Sequence, residues 1–253
     1  MTNPNDYDSV AEKRQQRLIK GESLPHRFVE KPAMEKMLPS LRGLTGLMLG
    51  CGTGEESMLL AQKGALNLTG IDKSEVSIRL AQESYPNHQF QVGDINKLEF
   101  PDASFDFVYS SLAIDYTDNP LGVYKEVYRV LRNGGMFQFS VPHPVRWSSE
   151  QVLIDGIPTR LLGFAESNDS PRVYGNYSDY AEHDHTFTLS PDDPIKIWVG
   201  PPSMHFQLLK QAGFRIDEFV ETRAIEETKD TDAYYYARFS KLQQFSLFQA
   251  VKF

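Results

Sequence analysis

LMLGCGTGEES, residues 47–57, decides how this chain is read. A short apolar run ends at Gly50. Gly50, Gly52 and Gly54 then alternate with Cys51 and Thr53 ahead of a helical pattern, GEESMLLAQKG. A strand that turns through glycines into a helix brings its backbone close to a ligand, because glycine reaches positive φ at no steric cost.

Dinucleotides, nucleoside triphosphates and S-adenosylmethionine are all bound by such loops, and the flanking residues discriminate among them. A dinucleotide loop reads G-x-G-x-x-G. Here the third glycine comes one position early and Glu55 stands in its place. A phosphate loop reads G-x-x-x-x-G-K-[ST], and no lysine follows these glycines. Glu55 and Glu56 fall in the first helical turn, where a carboxylate suits the helix dipole and repels phosphate. The loop therefore suits a ligand of little negative charge, such as S-adenosylmethionine, which has no phosphate and carries a sulfonium cation. Asp72 closes the next apolar run, LNLTGID, where a carboxylate can accept hydrogen bonds from vicinal ribose hydroxyls. An isolated G-I-D would read as a surface turn; beside this loop, ribose binding is the better reading.

Working outward, strand and helix patterns alternate. HQFQVGDI, SFDFVYSSL and GMFQFSV read as further strands, the SFDFVYSSL run apolar enough for burial on both faces. Ser74 and Asn119 are N-caps for the helices between them, and Leu121, Tyr124, Val127, Tyr128 and Leu131 recur at helical spacing up to a Gly134–Gly135 stop. This alternation predicts a doubly wound α/β sheet. Upstream, residues 5–20 read as a polar helix and Pro32 opens a short one. Residues 143–200 lose periodicity and become rich in Pro, Asp, His, Tyr and Trp, as in a binding loop or insertion. SMHFQLLKQAG then restores a helix, and FRIDEFVE and QFSLFQAVKF alternate as an antiparallel pair at a sheet edge.

Composition narrows the function. A net charge of −8 argues against a nucleic acid partner, and no apolar run of membrane-spanning length is present. The N-terminus is polar, without a secretory h-region, and the single Cys51 suits a reducing compartment, so a cytoplasmic protein is expected. Monomer and homodimer fit equally well.

The order LMLGCGTG, LTGIDKS, FQVGDINKLEFPDASFDFVYSSLAI and YKEVYRVLRNGGMFQFSVPHP resembles class I S-adenosylmethionine-dependent methyltransferases, with the ubiquinone/menaquinone-biosynthesis type and small-molecule branch most similar. The resemblance covers residues 44–144. It implies a Rossmann-like, doubly wound, seven-stranded, mostly parallel sheet with an antiparallel last strand and an inserted cap after the fifth. Residues 1–43 would be a helical leader closing over the cofactor site, 44–142 and 201–253 the methyltransferase core, and 143–200 a cap for the substrate.

The same resemblance implies residue roles. Gly50, Cys51, Gly52 and Gly54 form the cofactor loop, the glycines letting backbone approach the methionine part. Asp72 would hold the ribose, Lys73 border the adenine, Asp94 accept from the adenine amino group and Ile95 pack on the ring. Ser110, Ser111 and Leu112 would line the methionine side, and Tyr7 would close over the cofactor. The family places an acid two positions before the first loop glycine, and Met48 stands there in this chain. Glu55 and Glu56 are the acids near enough to compensate.

For chemistry, His143 in SVPHPV is the candidate general base, weighed against a loop histidine bonded to backbone. Asp115 and Tyr116 follow the fourth strand and could face the acceptor, although an Asp there also serves as a turn cap. His183 and His185 form an H-x-H without an identifiable third metal ligand, so a polar lid segment is preferred. Tyr174, Tyr177, Tyr180 and Trp198 either cover an apolar acceptor or pack the insertion onto the core. His26 and Arg27 could touch a carboxylate of the cofactor, with a solvated pair as the plainer reading. His205 is read as a partly exposed helical histidine. Three functions follow: methyl transfer from S-adenosylmethionine to a small-molecule acceptor, S-adenosylmethionine binding without turnover, and NAD-dependent oxidoreduction, which the absent third glycine and Glu55 oppose.

Overall fold

The computed structural model describes residues 7–165, 172–177, 185–190 and 193–253. Its centre is a seven-stranded sheet of order β12-β13-β5-β4-β1-β2-β3. β1 (Thr45–Leu49), β2 (Asn67–Asp72), β3 (Gln89–Val92), β4 (Phe105–Ser111) and β5 (Leu131–Pro142) run parallel. β13 (Phe245–Lys252) is antiparallel to both β5 and β12 (Phe214–Glu221), so only the last strand in the chain is reversed. The expected seven-stranded, doubly wound sheet is the one found.

Side chains alternate across β1. Leu47 and Leu49 enter a cluster with Val108, Phe137 and Phe139 under α5 (Pro120–Val130) and α6 (Pro202–Ala212). Met48 faces the other way, into a cluster with Phe107, Tyr109 and Leu247 under α2 (Lys31–Met37), α3 (Glu56–Gln62) and α4 (Glu75–Ser84). Both faces of the parallel sheet are thus covered, as such sheets require. Ser74 caps α4 by accepting from Ser77 N, and Asn119 caps α5 by accepting from Gly122 N. α5 stops at Val130, ahead of the glycines, because Leu131 must be extended to pair with Phe105.

The leader starts with α1 (Asp8–Ile19). A π-helical turn, His26–Glu30, then runs directly into α2, so Pro32 lies within a longer helical stretch than the sequence signals. Gln138 Nε2 donates to Met34 O (2.8 Å) and Gln249 Nε2 to Met37 O (3.2 Å), tying α2 to the sheet.

The 143–200 region, expected to be irregular, holds three antiparallel strand pairs. These are β6 (Glu150–Ile154) with β7 (Ile157–Leu161), β8 (Gly163–Ala165) with β9 (Arg172–Tyr174), and β10 (His185–Ser190) with β11 (Asp193–Val199). The first two pairs are exposed on both faces, which removes the alternation a sequence reading depends on. Trp198 does face the core, edge-on to His205 at 5.2 Å. Tyr180 and His183 lie outside the described residues.

His205 corrects an expectation. It is buried, not partly exposed, and its Nδ1 lies 2.6 Å from the hydroxyl of buried Tyr124. Desolvation lowers its pKa to about 3, so the ring is neutral and shares a hydrogen bond with Tyr124. An unfolded histidine binds a proton near pH 6.5, so the native state loses relative stability as pH falls from there toward 3. Denaturant titrations at pH 7 and pH 4 check this: His205→Asn, neutral throughout, should lose less stability on acidification than the parent protein.

Candidate active site

At the carboxyl ends of β1, β2 and β4, beneath α1, lies a cavity of about 360 Å³, a size that suits a small-molecule ligand. The glycine loop forms its floor. Gly50, Gly52 and Gly54 have φ of 59°, 52° and 87°, the left-handed region that excludes most side chains. Their roles differ. A Cβ on Gly50 would strike Ala113 Cβ at 2.3 Å, and one on Gly54 would strike Tyr85 and Phe90 at 2.9 and 3.0 Å. A Cβ on Gly52 meets nothing within 4 Å, since it points into open space. Only Gly52 and Gly50 border the cavity; Gly54 instead lets the loop close on α4 and β3.

Asp72 holds the loop. Its Oδ2 accepts from Gly52 N and its Oδ1 from Ser74 N, both at 2.9 Å. Burial raises its pKa despite these bonds. Each oxygen keeps lone pairs for a further donor, so ribose binding remains open to it. Lys73 and Ile95 border the cavity too, but Asp94 does not. The Asp94 carboxylate accepts two 2.8 Å bonds from Asn96 and sits 3.2 Å from Lys73 Nζ. Burial favours its protonation, but these partners outweigh it and hold its pKa below the usual carboxylate range.

Cys51 borders the cavity, and burial pushes its thiol pKa well up, against a nucleophilic role. Ser110 is buried and donates to Leu49 O, away from the cavity, whereas Ser111 and Leu112 face it. Leu112 has φ of 49°, a strained backbone for a branched residue, held by its N–H on Ser140 Oγ at 3.0 Å. Tyr7 and Tyr116 meet edge to face at 5.9 Å across the roof. Asp8 Oδ1 accepts from Ser74 Oγ at 2.6 Å, pinning the start of α1 to α4.

The other two candidate catalytic residues are placed differently. His143 is buried outside the cavity: Nδ1 accepts from Val145 N at 3.2 Å and Nε2 faces Glu221 Oε1 at 3.0 Å. Desolvation keeps its pKa low despite Glu221, so it is a neutral ring with both nitrogens engaged. Asp115 caps no turn. It is buried, its Oδ1 lacks a partner among the described residues, and desolvation raises its pKa to about 7.

Tyr7 borders the cavity just ahead of α1, and the leader adds residues the sequence did not announce: Ala11, Arg14 and Gln15 continue its row along one face of α1 and roof the cavity. Their i, i+4, i+7, i+8 spacing was visible, but a polar face carries no hydrophobic signature. His26, Glu30 and Glu56 form a cluster at the leader end. His26 Nδ1 lies 2.9 Å from Glu30 Oε2, and His26 Nε2 lies 3.2 Å from Glu56 Oε1. Burial alone would strip its proton, but the two carboxylates reverse this and raise its pKa to about 10. It is thus an ion-paired cation, not a solvated residue. Glu30 Oε1 also accepts from Ser111 Oγ and Ser140 Oγ, at 2.9 and 2.7 Å, joining the leader to the ends of β4 and β5. No group of three or more metal-ligating side chains occurs among the described residues.

Comparison with known proteins agrees with this geometry. Residues 47–139 match the family described as "Methyltransferase domain". The malonyl-[acyl-carrier protein] O-methyltransferase of Pectobacterium atrosepticum is 35% identical over 104 residues, covering 41% of each chain. The 2-methyl-6-phytyl-1,4-hydroquinone methyltransferase of Synechocystis is 38% identical over 97 residues, covering 37% of this chain and 30% of that one. The chain thus spans less than half the length of these two curated relatives. A crystal structure of an S-adenosylmethionine-dependent methyltransferase from Mesorhizobium loti superposes with a TM-score of 0.71 at 24% identity, over 88% of this chain and 97% of that one. Residues 47–139 therefore match the methyltransferase-domain family, and the fold is the one shared with S-adenosylmethionine-dependent methyltransferases. The cofactor of such domains is S-adenosylmethionine, and the open cradle at Gly52, the half-buried Asp72 and the phosphate-repelling Glu55 and Glu56 fit it.

The glycine geometry predicts an ordering of variants. Gly52→Ala introduces only left-handed strain, about 1–2 kcal/mol. Gly54→Ala adds overpacking of about 1–3 kcal/mol against Tyr85, Phe90 and Ala81. Urea denaturation should find Gly54→Ala the less stable of the two. For Asp115, the native carboxyl keeps its proton up to about pH 7 whereas an unfolded one releases it near 3.8, so its unfavourable contribution grows across that window. Asp115→Asn should accordingly gain more thermal stability over the parent at pH 8 than at pH 4, as calorimetric melting at both values would record.

Proposed function

We propose that this protein transfers the methyl group of S-adenosylmethionine to a small-molecule acceptor. The observation that carries the reading is the pairing of an open glycine cradle with a half-buried carboxylate: Gly52 N–H is bonded to Asp72, and both border the cavity. The match of residues 47–139 to the methyltransferase domain supports it.

When bound, the cofactor supplies a methyl group already activated on a positively charged sulfur. Asp72 would accept hydrogen bonds from the ribose, and Ile95 would pack on the adenine, with Lys73 at its rim and Asp94 behind Lys73 as its ion-pair partner. Tyr7 and the cavity face of α1 would exclude water. The chemistry needs alignment of acceptor and methyl group in a dry site more than it needs a base. That suits the arrangement of His143, whose nitrogens are both committed, and leaves Tyr116 as the candidate nearest the acceptor. Residues 143–200 would form the acceptor cap. Leu153, Phe164 and Val173 there are 72, 71 and 70% exposed, which favours an acceptor with apolar character. The Synechocystis relative, a 2-methyl-6-phytyl-1,4-hydroquinone methyltransferase, acts on an acceptor of that apolar kind. A cytoplasmic location accords with the single cysteine, and no described helix is long and apolar enough to cross a membrane.

Calorimetric titration with S-adenosylmethionine, S-adenosylhomocysteine and NAD in parallel tests the assignment. Micromolar binding of the first two and none of NAD is expected, with at least a tenfold loss in Asp72→Ala. NAD binding alone would overturn the reading, as would unchanged affinity in Asp72→Ala.

A further inference from the structure

Away from the cavity, the β6–β7 and β8–β9 ribbons hold apolar side chains in water. Asp155 and Gly156, both at positive φ, turn β6 tightly into β7. The register sets Leu153 against Pro158 on one face of this ribbon and Ile154 against Ile157 on the other. In the second ribbon Phe164 is paired with Val173. The ribbons lie side by side: Arg172 Nη2 is 3.6 Å from Glu150 Oε1, and Gly175 N donates to Glu150 Oε2 at 3.4 Å. Leu153, Ile154, Ile157, Leu162, Phe164 and Val173 are 39 to 72% exposed.

Large apolar side chains have roughly 150–250 Å² of surface each, so these six present on the order of 700 Å². A soluble monomer rarely leaves so large an apolar patch uncovered, and a standard interface takes about 800 Å² from each partner. A two-stranded ribbon alone in water is also only marginally stable, so cover would order it. A small-molecule acceptor is too small an occupant. None of the six borders the cavity, and a molecule against one face of β6–β7 leaves the other face open.

Charge selects a second copy of this chain as the occupant. The chain carries a net −8, yet the patch is balanced. Glu150 is paired with Arg172, and exposed Asp155 at the tip is matched by exposed Arg160 towards the base, opposite Gln151. In a two-fold contact a patch meets itself. Set tip to tip, two Asp155 carboxylates would repel; set antiparallel, Asp155 of each copy meets Arg160 of the other. A lipid surface fits less well, because the leading turn of β6–β7 would carry a carboxylate into it. Pro158 deprives β7 of a backbone donor, so the contact is between ribbon faces and not by strand addition.

We propose that the β6–β7 and β8–β9 ribbons form the interface of a two-fold homodimer, packed antiparallel with Asp155 of each copy against Arg160 of the other. This goes beyond the methyl-transfer reading and does not depend on it.

Sedimentation equilibrium of the full chain at micromolar concentrations tests it. The parent should be a dimer, and the double variant L153S/F164S, altered only at exposed positions, should dissociate at least tenfold more readily. Arg160→Asp should also weaken the dimer, and serves if the double variant does not fold by circular dichroism. Adding Asp155→Arg to Arg160→Asp should restore the association. A parent that stays monomeric at on the order of 100 µM overturns the proposal, as does a dimer that folded L153S/F164S leaves intact. Failure of the charge swap to restore what Arg160→Asp lost overturns the antiparallel arrangement. A monomer that floats with phosphatidylcholine vesicles through these residues overturns the dimer in favour of a lipid-docking surface.

Discussion

Asp72 bonds at once to Gly52 N, in the loop after β1, and to Ser74 N, at the start of α4. The distances, both 2.9 Å, make these ordinary hydrogen bonds to a carboxylate, among the stronger kind in proteins. Their effect is geometric. A loop in which three glycines take positive φ has no regular hydrogen-bonding pattern of its own, and the carboxylate supplies one. It also ties that loop to the start of α4, at the end of the sheet where the cavity opens. The rest of the site is arranged around this tie. Ile95 and Lys73 stand to one side, Leu112 is strained into line on the other, and α1 is pinned across the top through Asp8 and Ser74.

A second constraint comes from the leader. Glu30 brings a negative charge into the interior, where an unpaired charge is costly. Two serine hydroxyls and the His26 cation compensate it, and those groups come from β4, β5 and the π-helical turn. The π turn widens the helix just where His26 must reach both Glu30 and Glu56. Such turns recur at functional sites because they displace a side chain from its regular register. Met48 fits this layout, its side chain joining the leader-facing apolar cluster.

What the sequence revealed and what it hid divide along the range of the interactions. The glycine loop, Asp72, the caps at Ser74 and Asn119 and the alternation of the core are local features, written within a few residues of each other. In the His26–Glu30–Glu56 cluster, His26 and Glu30 stand one helical turn apart, but Glu56 comes from α3 and no spacing rule connects it to the leader. His143 was sought at the site for its position after β5. Its engagement by Glu221 depends on where β12 runs, which local sequence does not state. His205 looked ordinary on an amphipathic helix, yet its face of α6 meets Tyr124, Trp198 and the stacked rings of Phe139 and Phe248. The first two strand pairs of 143–200 escaped because a pair exposed on both faces has no apolar period to detect.

The ties that hold α2 have a consequence for how the chain assembles. The carbonyls of Met34 and Met37 are met by Gln138 and Gln249, and Gln249 lies 212 residues further along. The roof helix α1 is held by a nearer partner, Ser74 at the start of α4, whereas the tie of α2 to β13 spans most of the sequence. Contacts of such sequence separation form late and slowly. The two leader helices are thus secured at different stages: α1 needs only the β2–α4 unit, and α2 is fully tied only when β13 has inserted between β5 and β12.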